Sequence, residues 1–236
     1  MLKIDRRAAR AAAAPPGQET QDRILDTAER LFARHGIEGV SVRSILAQAG
    51  VNAALANYHF GNREGLIDAL LRRRLAPLNE ERARLLDEIE ARGEAATLED
   101  VLRAFFGPAG RWIFTRPDLA RLLAHMQGSP NPEIRAMHRR HFGDVVERFA
   151  DALAARLPAR VTPMQRVCRF FFTLGAGLIT SASGADMAQV ARKRFGPGAV
   201  PDADALVEEI VAFCAAGLRA GETSRARREA RARARQ

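Results

Sequence analysis

The 236-residue chain has two cysteines, Cys168 and Cys214, far apart in apolar stretches. Such sparse cysteine excludes a disulfide-stapled scaffold and is read as two buried thiols in a cytoplasmic protein. Long runs of β-branched residues are missing, which argues against a sheet-built core. No apolar run reaches the roughly 18 residues of a membrane span, and the longest candidate, Phe170 to Ala182, falls short. The N-terminus, MLKIDRRAARAAAAPPG, carries charge but no apolar core followed by a cleavage site, so no secretory signal is expected. There is no Ser/His/Asp constellation, no metal-ligand spacing and no phosphate loop. His138 and His141 stand three apart, but neither Glu133 nor Asp144 completes a metal site. No catalytic residue, cofactor or metal is expected, and no membrane partner.

What remains is helical. Ala, Leu, Arg and Glu dominate, and an all-α protein is the natural reading. The length allows a small unit of about 50 residues and a larger one of about 150. The formal charge of +9 invites a nucleic-acid partner, but its location complicates that. Between Thr20 and Gly65 five arginines face five acidic residues. Most of the excess lies in two low-complexity Ala/Arg ends, around Lys3 to Arg10 and Arg225 to Arg235. The boundaries expected are a disordered basic tail (1–19), a DNA-binding unit (20–66), a ligand-binding and dimerisation domain (67–221) and a disordered Arg-rich tail (222–236). The first tail lies next to the DNA-binding unit, within reach of phosphates.

The most informative stretch is Ser41 to Phe60, SVRSILAQAGVNAALANYHF. It reads as two short helices around a turn at Ala49-Gly50-Val51. Ser41 and Asn52 are suited to cap them, and Gly50 sits where the chain needs a positive φ. Val42, Ile45 and Leu46 share one face, with Leu55 and Phe60 as partners. This is the pattern of a helix-turn-helix. Upstream, TQDRILDTAERLFARHG forms an amphipathic stripe from Ile24 to Phe32, closed by Gly36. Downstream, Asn62 caps a further helix beginning NREGL.

The order of these motifs closely resembles the N-terminal domain of the tetracycline-repressor (TetR) family of bacterial transcription regulators, over about residues 20 to 70. The resemblance implies an N-terminal three-helix DNA-binding domain and a larger helical ligand-binding and dimerisation domain. Two positions depart from the family pattern. Leu46 is large where a small residue is usual, and Ala56 is small where a larger aliphatic is usual. We read these as a compensating size swap.

Base contacts specify sequence and phosphate contacts position the protein. Asn52 and Asn57 carry amides suited to base edges, and Ala53 and Ala54 are small enough to approach thymine methyls. Ser41, Val42 and Arg43 open the first helix of the motif, where amides and hydroxyl suit a phosphate. The resemblance implies phosphate contacts for Tyr58 and His59, and for Arg63, which stands where the family commonly has lysine. Thr20 is a further candidate. Packing or capping alone also accounts for Ser41, Tyr58 and His59.

In the remaining two-thirds, residues 63–92 read as one long helix kinked or interrupted at Pro77. Gly107 to Gly110 is expected to bend or break the helix begun at Thr97. Further helices are expected from Pro117, over 132–157, from Thr162-Pro163 to about Ala182, a short one near Asp186, and one from Asp202 to near Gly221. Phe105, Phe106, Trp112, Met126, Met137, His141, Phe171 and Phe172 are candidates for an apolar effector cavity, a role that rests on the resemblance; an ordinary filled core accounts for each equally well. Leu174, Gly177, Leu178 and Ser181, with Val207, Ile210, Val211 and Cys214, look like the family's four-helix dimer interface. Two reading helices held about 34–36 Å apart by a twofold axis suit a palindromic operator. The function expected is that of a homodimeric, sequence-specific repressor of double-stranded DNA, released by a small apolar effector such as a fatty acyl compound. A regulator controlled by a partner protein, or acting without ligand, is the alternative.

Overall fold

The structure is a computed structural model that describes residues 16–220, apart from the side chains of residues 16, 53, 55, 56, 111–115 and 117. The basic ends expected at 1–15 and 221–236 therefore lie outside the described residues. Among the described residues there is no strand. Ten α-helices follow one another: α1 (Pro16–His35), α2 (Val42–Ala49), α3 (Ala53–Phe60), α4 (Arg63–Arg92), α5 (Leu98–Thr115), α6 (Pro117–Gly128), α7 (Pro132–Ala154), α8 (Pro163–Ala182), α9 (Gly184–Phe195) and α10 (Ala203–Arg219).

The caps explain most of these boundaries. Ser41 Oγ accepts from the Ser44 amide at 3.1 Å, Asn52 Oδ1 from Ala54 at 2.9 Å and Asn62 Oδ1 from Gly65 at 2.8 Å. Thr162 starts α8 with a reciprocal capping box to Gln165 and Pro163 at the first helical position. Gly50 ends α2 in the left-handed region at φ 65°, a conformation costly for a residue with a Cβ. Two expectations need correction. Helix α1 extends back to Pro16, four residues before the start expected at Thr20. Helix α5 runs through Pro108 without a break. Helix α4 is the single helix expected over 63–92 and is not interrupted at Pro77. Pro108 is buried; Pro77 is exposed but lies between buried Leu75 and Leu78, and this packing keeps helical a stretch that propensity alone would interrupt.

The apolar side chains form two clusters. One joins α1, α2 and the first half of α4 to α6, with Ile24, Phe32, Ile45, Leu70, Leu78 and Met126 at its centre. The other joins the second half of α4 to α5, α7, α8 and α10 around Leu86, Phe105, Phe149 and Val211. Phe105 stacks on Phe149 with ring centroids 4.0 Å apart. Helix α4 contributes to both clusters, through Leu78 in the first and from Leu86 onward in the second.

Candidate nucleic-acid interface and effector domain

Helices α2 and α3 stand on α1 and α4. Ile45, Leu46 and Phe60 are buried, which fixes the helices' inner faces. The opposite side leaves Ser41, Arg43, Asn52, Ala54, Asn57 and Tyr58 exposed, the last at 84%. A tyrosine so exposed on a short helix is unusual for a ring that gains from burial. Val42 is half-buried and backs this face. The sequence-predicted reading residues are thus brought together, except that the Ala53 side chain lies outside the described ones. So does Ala56, so the expected size swap with buried Leu46 has only one half in view.

Several candidates also serve the fold. Ser41 and Asn52 each spend an acceptor on a helix cap, which leaves the Asn52 amide nitrogen as the group suited to a base edge. His59 is half-buried, and its Cε1 lies 3.7 Å from where a Cβ on Gly17 would stand, at the start of α1. Thr20 is half-buried on α1. Arg63 departs furthest from expectation. Its two Nη groups donate to the carbonyls of Ile37 and Val40, and its guanidinium lies 5.9 Å from the Phe32 ring centroid. It ties the α1–α2 loop to the start of α4, so its first role is to hold the motif in place. That loop carries carbonyls with no helical donor, and a planar fork can satisfy two at once.

Sequence reasoning missed a second clasp. Arg73 on α4 pairs with Asp22 and Asp26 of α1, and Arg74 pairs with Asp26 and, through Nε at 2.6 Å, with Glu29. Glu29 is among the few buried charged residues. The consequence is electrostatic. Three of the five acids counted between Thr20 and Gly65 are paired with two arginines of α4, while Arg23, Arg30, Arg34 and Arg43 are exposed. Over residues 20–74 eight arginines stand against six acidic residues. The adjacent pair Arg73-Arg74, about three turns into a helix facing an acidic stripe 22/26/29, is the signal that was legible.

The larger domain does not assemble the expected effector cavity. Phe105 and Phe106 belong to the second cluster, while Met126 and Met137 belong to the first. Phe171 and Phe172 are exposed, the latter at 72%. His141 is half-buried, its Nε2 3.0 Å from Asp68 Oδ1 on α4. The Trp112 side chain lies outside the described ones. A cavity of about 530 Å³ lies elsewhere, between the α1–α2 loop (Arg34 to Gly39) and the α6–α7 turn with His125, Met126 and Ile134. Among the described residues there is no cluster of three or more metal-ligating side chains.

The expected dimer face is also corrected. Val207, Ile210, Val211 and Cys214 are buried within the chain, against the second cluster. Burial pushes the Cys214 thiol pKa up, partly offset by a hydrogen bond with Thr173. Cys168, expected to be buried, is half-exposed. Gly177 is buried too, and a Cβ there would stand 2.4 Å from Phe106 Cε1, so its small size serves the contact of α8 with α5. Leu174, Leu178 and Ser181 are half-buried beside it. The uncovered face is the next one round. Met164, Val167, Phe171 and Ile179 recur at helical spacing on α8, and Phe213 on α10 is 75% exposed. Gly175 and Gly217 have open space where a side chain would be. Sequence periodicity located the helices but selected the stripe that packs inward. The clue available was Phe213, an aromatic beside an already complete apolar stripe.

Comparison with known proteins follows this geometry. Residues 24–70 match the family described as "Bacterial regulatory proteins, tetR family", and residues 103–217 match "Tetracyclin repressor-like, C-terminal domain". The chain is 30% identical over 124 residues to the HTH-type transcriptional repressor AcnR of Corynebacterium efficiens, which covers 52% of this chain and 57% of that protein. It is 52% identical over 44 residues to the HTH-type transcriptional regulatory protein RaaS of Mycobacterium tuberculosis, 19% of this chain and 20% of that one. The aligned region thus spans little more than half the length of the AcnR relative and a fifth of RaaS. Among solved structures, HlyIIR, a hemolysin II transcriptional regulator, superposes with a TM-score of 0.59 at 17% identity, over 84% of this chain and 97% of that one. The fatty acid degradation regulator FadR of Bacillus halodurans does so with 0.57 at 18%, over 88% and 98%. These structures share the fold. With both its motif-bearing unit and its larger domain matched, the chain belongs to the tetracycline-repressor family of bacterial transcription regulators, a family of regulators rather than enzymes.

Proposed function

We propose that the protein is a homodimeric, sequence-specific DNA-binding regulator in the cytoplasm, a repressor that leaves a palindromic operator when a small effector binds its larger domain. The observation that carries the reading is the exposed face of α3. Ala54, Asn57 and Tyr58 stand clear of the core on a helix narrow enough for a major groove. Exposed arginines stand on α1 and α2, and three of the acids that would offset them are held by α4. The chain's basic ends add the long-range attraction that phosphate binding uses.

The homodimer is supported by the apolar stripe of α8 and α10. Phe171, Ile179 and Phe213 in water are unfavourable, and a second copy across a twofold axis covers the same residues on both sides. Release by an effector requires that it bind better to a conformation in which the two reading helices no longer match the operator. Helix α4 is the physical route, since it begins beside α3 and ends in the second cluster. The named repressor AcnR is a relative on this reading, and its repressor activity is the source of the sign we propose. The test is selection of bound duplexes from a random-sequence pool, then a gel-shift with the selected site. Enrichment of a palindrome and a shift by dimers support the reading. No enrichment at any salt overturns it.

A further inference from the structure

The cavity of about 530 Å³ lies where the DNA-binding unit meets the larger domain. One wall is the α1–α2 loop, and the other is the end of α6 with the α6–α7 turn. Both walls are pinned. Gly36 turns the chain at φ 71°, and a Cβ on Gly39 would stand 2.5 Å from the His35 carbonyl oxygen, so the loop folds tightly back on the end of α1. Arg63 holds the same loop through the Ile37 and Val40 carbonyls. In the turn, Ser129 Oγ accepts from the Asn131 amide at 3.1 Å, and Arg135 Nη1 donates to the Ser129 carbonyl at 2.6 Å. A cavity between two held walls is formed before a ligand arrives, as small-molecule sites usually are.

Its lining is divided. Ile37 and Met126 are buried, and half-buried Ala124 and Ile134 continue the apolar part. Arg34, His35, Glu38 and His125 supply the polar part, and all four are exposed. None of the four forms a side-chain hydrogen bond or ion pair among the described residues, although Arg34 and Glu38 carry opposite charges. Elsewhere in this unit opposite charges on facing segments do pair, as Arg73 does with Asp22 and Asp26. An apolar surface bordered by a cation and an anion that do not meet suits a molecule carrying both charges and an apolar group. A simple acid would meet Glu38 as a like charge, and a simple amine would meet Arg34 so.

We propose that this cavity is a binding site for a free α-amino acid with a large apolar side chain. The carboxylate lies toward Arg34, with ring N–H groups of His35 and His125 as further donors. The ammonium lies toward Glu38, and the side chain covers Ile37, Met126 and Ile134. Such a ligand touches both units at once. It joins the loop that leads into α2 to the turn that leads into α7. The site lies outside the second cluster, and its ligand is additional to the effector of the reading above.

Calorimetric titration of the full chain without DNA tests the site. The probes are leucine and phenylalanine, the acids that lack their amino group (isocaproate and hydrocinnamate) and the amines that lack their carboxylate (isoamylamine and phenethylamine). We expect saturable binding of at least one amino acid, tighter than both of its analogues by about threefold to tenfold, the scale of charged contacts at an exposed rim. Arg34→Gln should erase the preference over the amine, and Glu38→Gln the preference over the acid, each leaving the other in place. Both side chains are exposed, so neither variant should shift the melting temperature by more than about a degree or two. No saturable binding of either amino acid, an amino acid bound no more tightly than its analogues, or a preference that survives its variant overturns the proposal. The titration uses no DNA, so a chain that selects no duplex would leave its result in force.

Discussion

Helix α3 and helix α8 are both left partly uncovered by the fold, but they differ in kind. The open face of α3 is small, amide-bearing and phenolic, with arginines around it. The open face of α8, joined by Phe213 of α10, is a row of apolar side chains with glycines among them. The first surface is stable in water and has groups to offer a base edge. The second is stable only when something apolar covers it. One chain therefore presents a surface suited to a polyanion and another suited to its own copy. The same contrast explains why net charge was a poor guide. On the proposed reading the cations that matter are the exposed arginines of α1 and α2, and Arg73 and Arg74 offset part of the acids that compete with them.

The comparison can be broken at either surface. The largest effect is expected from placing acids on the apolar stripe. Phe171→Asp with Phe213→Asp should convert a dimer to a monomer by analytical ultracentrifugation and weaken operator binding by about a hundredfold or more, because one reading helix alone makes a short site. Next is the buried end of the α1–α4 clasp. Glu29→Ala leaves Arg74 without its buried partner and should cost about 2–4 kcal/mol in denaturant unfolding. Asn57→Ala should cost roughly 1–3 kcal/mol of discrimination at one base-pair step, read by competition between single-step operator variants, while leaving the melting temperature within a degree or two. Gly177→Ala drives a methyl group toward Phe106 and should destabilise the chain by about 1–2 kcal/mol; a change only in dimerisation would return that residue to the outer face.

The smallest effect is a pH dependence. His138 lies against Phe142, and burial with the neighbouring Arg139 and His141 lowers its pKa from 6.5 to about 4. The folded chain thus binds this proton more weakly than the unfolded one. Its contribution to stability is complete above about pH 6.5 and falls as pH drops toward 4. His138→Gln should flatten the pH profile of the melting temperature in that window.

Much of the motif was legible because its determinants are local. A cap needs one oxygen three residues or fewer from an amide, as at Ser41, Asn52 and Asn62, and a left-handed turn needs Gly50. Such signals survive in a single sequence. The larger domain was harder because its determinants are pairings between distant helices. The 3.6-residue repeat identified α10 but not which of two adjacent stripes meets α5; the Val207–Val211–Cys214 side won because Phe105 and Phe106 fill the groove it faces. Arg63 was placed on a phosphate, but the carbonyls of Ile37 and Val40 claim it. Buried Arg82 drew no notice, since an arginine in a helix rich in arginine reads as a solvated one until its burial is known.

The account rests on α3 reading bases. The measurement closest to that statement is the affinity of the natural chain and of Asn57→Ala/Tyr58→Ala for a site selected from random duplexes, set against a scrambled duplex of equal length at the same salt concentration. We expect the natural chain to prefer the selected site by at least about a thousandfold, and the double variant to lose most of that preference while its affinity for the scrambled duplex changes little. A double variant that still prefers the selected site by the same factor would contradict the account.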